Sequence, residues 1–391
     1  MSGAAAHAEG IAPGFVAGGL ACGIKTSGAP DLAIVATDDC TAVSAAGVFT
    51  SNLVQAAPVQ VSKRHLADGR AAAVVCNSGN ANAATGERGR ADARRMCELT
   101  ADGLGIASSD VLVCSTGLIG IPLPMGPVEA GIPKLCAQLA STGGMDAARA
   151  LMTTDTVPKR AAARAGAATV VGIAKGAAML SPAMATMLAV LTTDAAADAR
   201  DLQRALGTAV STTFDRLSVD GARSTNDTVL VLAGGRSAAP TYGDLVDALT
   251  EVCGSLAEQM ARDAEGATKF VRIRVVGARS QADALLAARA VANSQLVQCS
   301  LNGGDPYWGR VLSELGASGA YLDPERVDIA YNGIVVCRDG IACRHDASSL
   351  AAQMAGRDIE ILCDLRVAHG EATVLTTDLS HAYIDENRRT S

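Results

Sequence analysis

Aromatic side chains are scarce in this sequence, which has four Phe, five Tyr and one Trp among 391 residues. Proteins that bind single-stranded nucleic acid stack bases on aromatic rings, so this composition argues against such a surface. Positive charge is not in excess either, because 33 basic residues are outnumbered by 40 acidic ones and the net charge is −7. We therefore expect neither nucleic acid nor an anionic membrane surface as a partner.

The sequence also lacks an uninterrupted apolar run of about 18 residues, the length that would indicate a membrane span. Its first ten residues, MSGAAAHAEG, have neither the basic start nor the apolar stretch of a secretory signal. The 11 cysteines are an odd number, spread from Cys22 to Cys363, which is typical of reduced thiols in a cytosolic protein. We therefore expect a cytoplasmic protein. We expect no metal site either, because Cys337, Cys343 and His345 match no zinc spacing.

Apolar residues are plentiful at 49%, so the chain can bury a sizeable core built from Ala, Val, Leu and Ile around 40 glycines. This composition excludes disorder as the main state. Short apolar runs predict strands at 33–36, 72–76, 111–113, 229–233 and 270–276, and amphipathic periodicity predicts helices at 91–99, 198–210, 242–261 and 281–291. Strands and helices do not alternate strictly and no G-x-G-x-x-G motif follows a strand, which argues against a dinucleotide-binding fold. A Pro/Gly-rich stretch at 122–131 predicts a loop.

Small and polar residues are concentrated in three islands, at 77–83, 114–120 and 220–227. Two of them follow predicted strands and the third precedes one. Each alone could be a tight turn that needs Gly, Asn or Asp for its backbone conformation. Together they indicate loops gathered at one edge of a sheet, where backbone N–H groups can face a ligand.

The least ordinary segment is 175–194, which reads KGAAMLSPAMATMLAVLTTD. One interpretation is a buried strand or helix in which the Thr186 hydroxyl is satisfied locally. The other makes Thr186 a nucleophile, which needs a base. A threonine at a chain terminus carries that base as its α-amine, and cleavage of the Ala185–Thr186 bond would create it. A Ser-His-Asp triad stays open, since its members need not be close in sequence, but no G-x-S-x-G motif indicates one.

The segment 175–194 resembles the cleavage motif of the ornithine acetyltransferases, which are self-cleaving glutamate N-acetyltransferases. Further stretches match that family in order along essentially the whole chain, at 46–50, 77–83, 85–87, 115–117, 153–159, 224–228, 265–269, 304–310 and 376–380. The resemblance implies an α/β fold, a layered α-β-β-α sandwich with a smaller α/β subdomain.

The resemblance also implies an activity. Self-cleavage would give an α segment, 1–185, and a β segment, 186–391, which together form one folded unit and assemble as two of each. Thr186 would then carry acetyl from N-acetylornithine to glutamate in arginine biosynthesis, by ping-pong transfer through an acetyl-threonine. No cofactor is implied, and acetyl-CoA stays open as an alternative acetyl donor.

Site residues carry over one position at a time from the resemblance. Thr116 and Gly117 match the pair that holds the oxyanion. Besides Thr186, the residues that match substrate contacts are Thr153, Lys175, Glu265, Asn387 and Ser391. Ser391 follows Asn387 by four residues, whereas the family spacing is five.

The sequence departs from the family pattern at Gln298, where Lys is common, and at Gly304, where an acidic or polar residue is frequent. These departures leave two alternatives open. One is a paralogue that uses another N-acetyl amino acid or acceptor in specialised metabolism. The other is a threonine-dependent amidohydrolase or aminopeptidase, in which water accepts the acyl group.

Overall fold

The computed structural model describes residues 10–179 and 187–388. They form two compact units, the first within Met1–Asp215 and Ala222–Met260 and the second within Arg216–Gly221 and Ala261–Thr390. The division between the units therefore does not coincide with the predicted cleavage bond, which falls within the first unit's part of the chain.

Short apolar runs and amphipathic helices alternate irregularly in the first unit. Its strands are β1 (Phe15–Leu20), β2 (Leu32–Thr37), β3 (Val43–Phe49), β4 (Arg70–Ala71), β5 (Ala73–Asn80), β6 (Val111–Leu118), β7 (Lys159–Ala165), β8 (Ala168–Lys175), β9 (Leu188–Ala195) and β10 (Thr228–Ser237). Its helices are α1 (Ala57–His65), α2 (Gly86–Leu104), α3 (Met125–Cys136), α4 (Gly144–Leu151), α5 (Ala199–Thr212) and α6 (Tyr242–Arg262), of which the last two residues belong to the second unit.

Two sheets of the first unit pack face to face. One has the strand order β1-β2-β5-β6 and the other β4-β3-β10-β9-β8-β7. Their facing sides share one apolar core, to which Val74 and Leu112 contribute from the first sheet and Val190 and Leu230 from the second. Central strands such as β2, β8 and β9 are buried on both faces, which explains why they read as continuous apolar runs rather than as alternating patterns.

Helices cover the outer faces of both sheets. Ile34 and Val75 pack outward from the four-stranded sheet against Met96 of α2 and Ile132 of α3. On the six-stranded sheet, Gly172 points away from the shared core, and a Cβ there would lie 2.8 Å from Val252 of α6. The first unit is thus layered α-β-β-α, as predicted.

The second unit is a smaller α/β unit. Its strands are β11 (Phe270–Ala278), β12 (Asp328–Tyr331), β13 (Ile334–Arg338), β14 (Ile341–Ala342), β15 (Asp358–Asp364) and β16 (Gly370–Thr377). Its helices are α7 (Gln281–Asn293), α8 (Gln295–Asn302), α9 (Trp308–Ala317), α10 (Ala347–Met354) and α11 (His381–Asn387). The sheet order is β14-β13-β12-β15-β11-β16. Ile273 and Ile361 of the sheet share a core with Val291 of α7 and Leu315 of α9.

The predicted loop at 122–131 is wrong, because α3 begins at Met125. Pro127 lies in the first turn, where backbone N–H groups have no helical acceptor and a proline costs little. Val128, Ile132 and Leu135 form the buried stripe that holds this helix on the sheet. Within 10–179 and 187–388, no helix is long and apolar enough to cross a membrane.

Candidate active site

Two of the three polar islands lie side by side at the ends of β5 and β6. These strands are parallel neighbours, and their register pairs Asn77 with Ser115, Ser78 with Thr116 and Gly79 with Gly117. The prediction that both islands are loops is wrong for their first parts, since the strands continue to Asn80 and Leu118, and it is confirmed for 81–83 and 119–120, which follow the strands. Their expected location at one edge of a sheet is confirmed, because parallel strands end at the same edge.

Gly117 is required by backbone geometry at this edge. Its φ of 135° lies in the region that favours glycine, and an added Cβ would lie 2.3 Å from the carbonyl carbon of Gly79. The two strand ends are therefore in close backbone contact, which fixes the direction of the peptide between Thr116 and Gly117. A fixed peptide is what a preorganised oxyanion site needs.

Lys175 meets this edge from the other sheet of the same unit. It is the last residue of β8, and its Nζ donates a hydrogen bond of 3.3 Å to Oγ1 of Thr116. Both side chains are buried, at 2% and 1% exposure. The structure thus brings together two predicted site residues that are 59 positions apart. Since the ammonium only donates, the Thr116 hydroxyl accepts here and keeps its own proton for another acceptor.

The residue that organises this region, Asp155, was not among the predicted site residues. Its Oδ1 accepts from Nζ of Lys159 at 2.6 Å and from the Gly176 N–H at 2.7 Å. Its Oδ2 accepts from the Thr153 N–H at 3.0 Å. One carboxylate therefore ties the loop that holds Thr153 to the peptide that follows Lys175.

The charge of Asp155 is stabilised by its surroundings. Burial alone would raise its pKa, but the ammonium groups of Lys175 and Lys159 and the hydrogen bonds it accepts outweigh burial and lower the pKa to about 2. Asp155 and Lys159 form an ion pair whose side chains are both fully buried. In the sequence, the only indication of this ion pair was that Asp155 precedes Lys159 by four positions. The same spacing is common in ion pairs on exposed helices.

Lys25 is a further cation of this region that sequence reasoning missed. Its Nζ donates to the carbonyl of Met152 at 2.6 Å and to that of Pro30 at 2.7 Å. The buried Asp31 carboxylate accepts four backbone N–H groups from residues 22–25 and so shapes the loop that carries Lys25. This loop therefore holds the residue that precedes Thr153.

Glu265 and Asn387 are together in the second unit. Asn387 Nδ2 donates to Oε2 of Glu265 at 2.7 Å, and Glu265 is only 9% exposed rather than a solvated loop residue. The neighbouring Gly266 makes this approach feasible, because a Cβ there would lie 2.2 Å from the Tyr383 nitrogen at the start of α11. Ser380 also donates to the Gly266 carbonyl at 2.5 Å.

Ala185, Thr186 and Ser391 lie outside the described residues. Their predicted roles stay predictions. The strands on either side of 180–186 are described, and they are antiparallel neighbours in one sheet, with Lys175 of β8 opposite Leu188 of β9.

The two departures from the family pattern are both explained within the second unit. Gln298 is buried, and its Nε2 donates to the carbonyls of Val219 and Ala292, each at 3.0 Å. Gly304 has a φ of 67° in open space, a conformation that glycine adopts without strain. Gln298 thus joins two backbone segments, which accounts for a long polar side chain at this position without a substrate.

The family model and the curated relatives match nearly the whole chain. A family model described as "ArgJ family" matches residues 16–390. The "Arginine biosynthesis bifunctional protein ArgJ" of Mycobacterium leprae is 49% identical, covering 97% of this chain and 95% of that protein. The protein of the same name from Streptomyces coelicolor is 45% identical, covering 96% and 97%. A solved ornithine acetyltransferase from Mycobacterium tuberculosis, complexed with ornithine, is 40% identical with a TM-score of 0.41, covering 44% of this chain and 95% of that one.

Proposed function

Because the chain belongs to the ArgJ family, we propose that it transfers the acetyl group of N-acetylornithine to glutamate in arginine biosynthesis. The observation that carries the proposal is the contact between Lys175 and Thr116 beside the rigid peptide of Gly117. In this arrangement Lys175 would bind a substrate carboxylate, and Thr116 and Gly117 would donate to the oxyanion beside it, as acyl transfer from an N-acylated amino acid requires.

The reaction would begin with self-cleavage at the Ala185–Thr186 bond. The Thr186 hydroxyl adds to the Ala185 carbonyl, the peptide nitrogen leaves as the Thr186 amine, and water hydrolyses the resulting ester. That amine then accepts the proton of the Thr186 hydroxyl as the oxygen attacks the acetyl carbonyl of N-acetylornithine. Ornithine leaves with the proton, and the amine of glutamate attacks the acetyl-threonine to release N-acetylglutamate.

Thr116 and Gly117 would supply the donors that stabilise both tetrahedral intermediates. Removing one such donor costs about 10²- to 10³-fold in rate in other enzymes. Lys175 and Thr153 would hold the substrate's α-carboxylate end, with Asp155 fixing the backbone next to each of them. Glu265, held by Asn387, would pair with the substrate's amino group.

Assembly, location and cofactors belong to the same proposal. The α and β segments would stay together, two of each, in the cytoplasm. The acetylornithine reaction needs no cofactor, because the acetyl group comes from one amino acid and leaves on another. Acetyl-CoA would serve as the donor when glutamate is acetylated directly, which fits relatives named as bifunctional.

The test combines gel electrophoresis, terminal sequencing and an acetyl-transfer assay. Purified protein should give two bands, and the β segment should begin Thr-Met-Leu-Ala. With N-acetylornithine and glutamate, N-acetylglutamate and ornithine should form in equal amounts. Accumulation of acetate without glutamate would indicate a hydrolase instead, and a Thr186→Ala protein that still cleaves and transfers acetyl would refute the mechanism.

A further inference from the structure

We propose that Asn226 and Asp227 are positioning residues that set the separation between the oxyanion edge and the start of β9. Asn226 holds the end of β6, which carries Thr116 and Gly117. Asp227 holds Met187, the residue that follows the proposed nucleophile. The inference rests on the proposed function, since it concerns the alignment of the two halves of that site.

Asn226 is buried at 4% exposure and uses both protons of its amide. Its Nδ2 donates to the carbonyl of Ser115 at 2.8 Å and to that of Ala81 at 2.6 Å. The Ser115 carbonyl belongs to the peptide that leads into Thr116, so this bond fixes the strand end just before the oxyanion pair. The Ala81 bond ties in the island that follows β5.

The orientation of the Asn226 amide is set by its neighbour. Thr225 Oγ1 donates to Oδ1 of Asn226 at 2.6 Å, which leaves the amide nitrogen facing the two carbonyls. Reversing the amide would place its oxygen against two acceptors and its protons against a hydroxyl. The side chain is therefore held in one state by three hydrogen bonds.

Asp227 is fully buried and acts on the other sheet of the same unit. Its Oδ1 accepts from the Met187 N–H at 3.0 Å, and the Met187 carbonyl accepts from the Thr228 N–H at 3.2 Å. Both sides of the Met187 backbone are thus held by two consecutive residues. Burial of this carboxyl outweighs its contacts with the Met187 N–H and the Ser224 hydroxyl, so it is retained at a cost in stability.

Because Asn226 and Asp227 are consecutive residues, the two sets of hydrogen bonds are mechanically coupled. Consecutive Cα atoms are about 3.8 Å apart, so the end of β6 and the start of β9 cannot shift independently of each other. A displacement of about 1 Å in a reacting group can cost a hundredfold in rate, because reacting atoms must be held in near-attack geometry.

The experiment measures kcat and KM for acetyl transfer and the fraction of chain cleaved. Asn226→Ala and Asp227→Ala should each lower kcat about a hundredfold, through misalignment rather than loss of a reacting group. The KM for N-acetylornithine should change less than about threefold, because binding groups are intact. Asp227→Asn keeps an oxygen for the Met187 N–H and should restore kcat to within about tenfold of the wild type.

Ser62→Ala is the matched control. Ser62 is fully buried and exchanges hydrogen bonds of 2.7 Å with both backbone groups of Val113, on the same strand β6 but away from β9. It should lower the melting temperature without changing kcat. If Asn226→Ala does not fold, Thr225→Val removes only the bond that orients the amide and should give an intermediate loss of kcat.

Hydrogen exchange supplies a readout that needs no turnover. In Asp227→Ala the Met187 amide should exchange faster than in the wild type. In Asn226→Ala the backbone amides at the end of β6 should exchange faster. A wild type that transfers no acetyl would refute the proposed function, while these exchange rates would still test the anchors. The positioning role is overturned if kcat in both alanine variants stays within about threefold of an active wild type, or falls equally in Ser62→Ala.

Discussion

At the scale of single residues, the buried pair of Asp155 and Lys159 carries the clearest prediction. Asp155→Asn leaves a buried ammonium without its counter-ion and should lower the free energy of unfolding by about 3–5 kcal/mol. It should also raise the KM for N-acetylornithine about tenfold, because one amide oxygen cannot hold both Thr153 and Gly176. Chemical denaturation and steady-state kinetics measure the two effects separately.

The double variant Asp155→Asn with Lys159→Met separates charge balance from positioning. It removes both charges of the pair and should recover part of the lost stability, because the buried Lys175 ammonium still lacks the carboxylate charge. It should not recover KM, since the hydrogen bonds to Thr153 and Gly176 are still incomplete. Recovery of both quantities would show that Asp155 only neutralises Lys159 and does not shape the site.

Asp227 predicts a pH dependence of stability. Burial raises its pKa well above 3.8, although the Met187 N–H it accepts acts in the opposite direction. The folded state then holds a proton that the unfolded state releases, so stability falls as pH rises from about 4 towards the folded pKa. Relative to the wild type, Asp227→Asn should gain stability with rising pH, by at most about 1.4 kcal/mol per pH unit.

Denaturation between pH 5 and pH 8, in a Thr186→Ala background that keeps one chain, measures this difference. Asp155→Asn is the internal control. The pKa of Asp155 is about 2 in the folded protein and 3.8 for an unperturbed aspartate, both below this range, so its difference from the wild type should be constant. A constant difference for Asp227→Asn as well would contradict the raised pKa.

What the sequence could reveal about the site depends on the kind of residue. Lys175, Thr116 and Glu265 were identified because they match positions of the family that the sequence resembles, and not because of their local surroundings. Asp155 and Asn226 act through the backbone of other residues, and such a role depends on distances that only the folded chain defines. The sequence does not indicate which backbone group a carboxylate or amide side chain in a polar motif will hydrogen-bond.

At the scale of elements, Gly266 couples the loop of Glu265 to helix α11. Gly266→Ala should push the Tyr383 backbone away and separate Asn387 from Glu265, raising the KM for N-acetylornithine about tenfold. Gly333→Ala is the matched control, because Gly333 also has a positive φ, 81°, but no atom lies within 4 Å of its added Cβ. Both variants carry the backbone strain, so an equal rise in KM would show that the contact with α11 is irrelevant.

Elements were predictable where one physical signal dominated. The buried run of β2 and the periodic face of α6 are found where composition and spacing place them. Helix α3 was missed because four prolines from 122 to 133 outweighed a stripe of only three buried apolar side chains. The strand ends of β5 and β6 were missed because Asn, Ser and Gly normally end a strand, whereas here side chains such as Asn77 and Ser115 bond each other across it.

At the scale of the whole molecule, the predicted cleavage bond lies between two strands of one sheet. Strand β8 precedes it, β9 follows it, and their register runs from Val170 opposite Thr193 to Lys175 opposite Leu188. On its other side β9 pairs with β10, so the β segment contributes strands to a sheet that the α segment also builds. Breaking one peptide bond leaves those hydrogen bonds and the shared core in place.

We therefore expect the two segments to remain associated after cleavage. Wild-type protein should elute from a sizing column as one species containing both bands, at the same volume as uncleaved Thr186→Ala. The bands should separate only in denaturant, because exposing β8 and β9 would uncover apolar strands that are buried on both faces. Elution of the two segments as separate species in native buffer would show that the sheet does not hold them together.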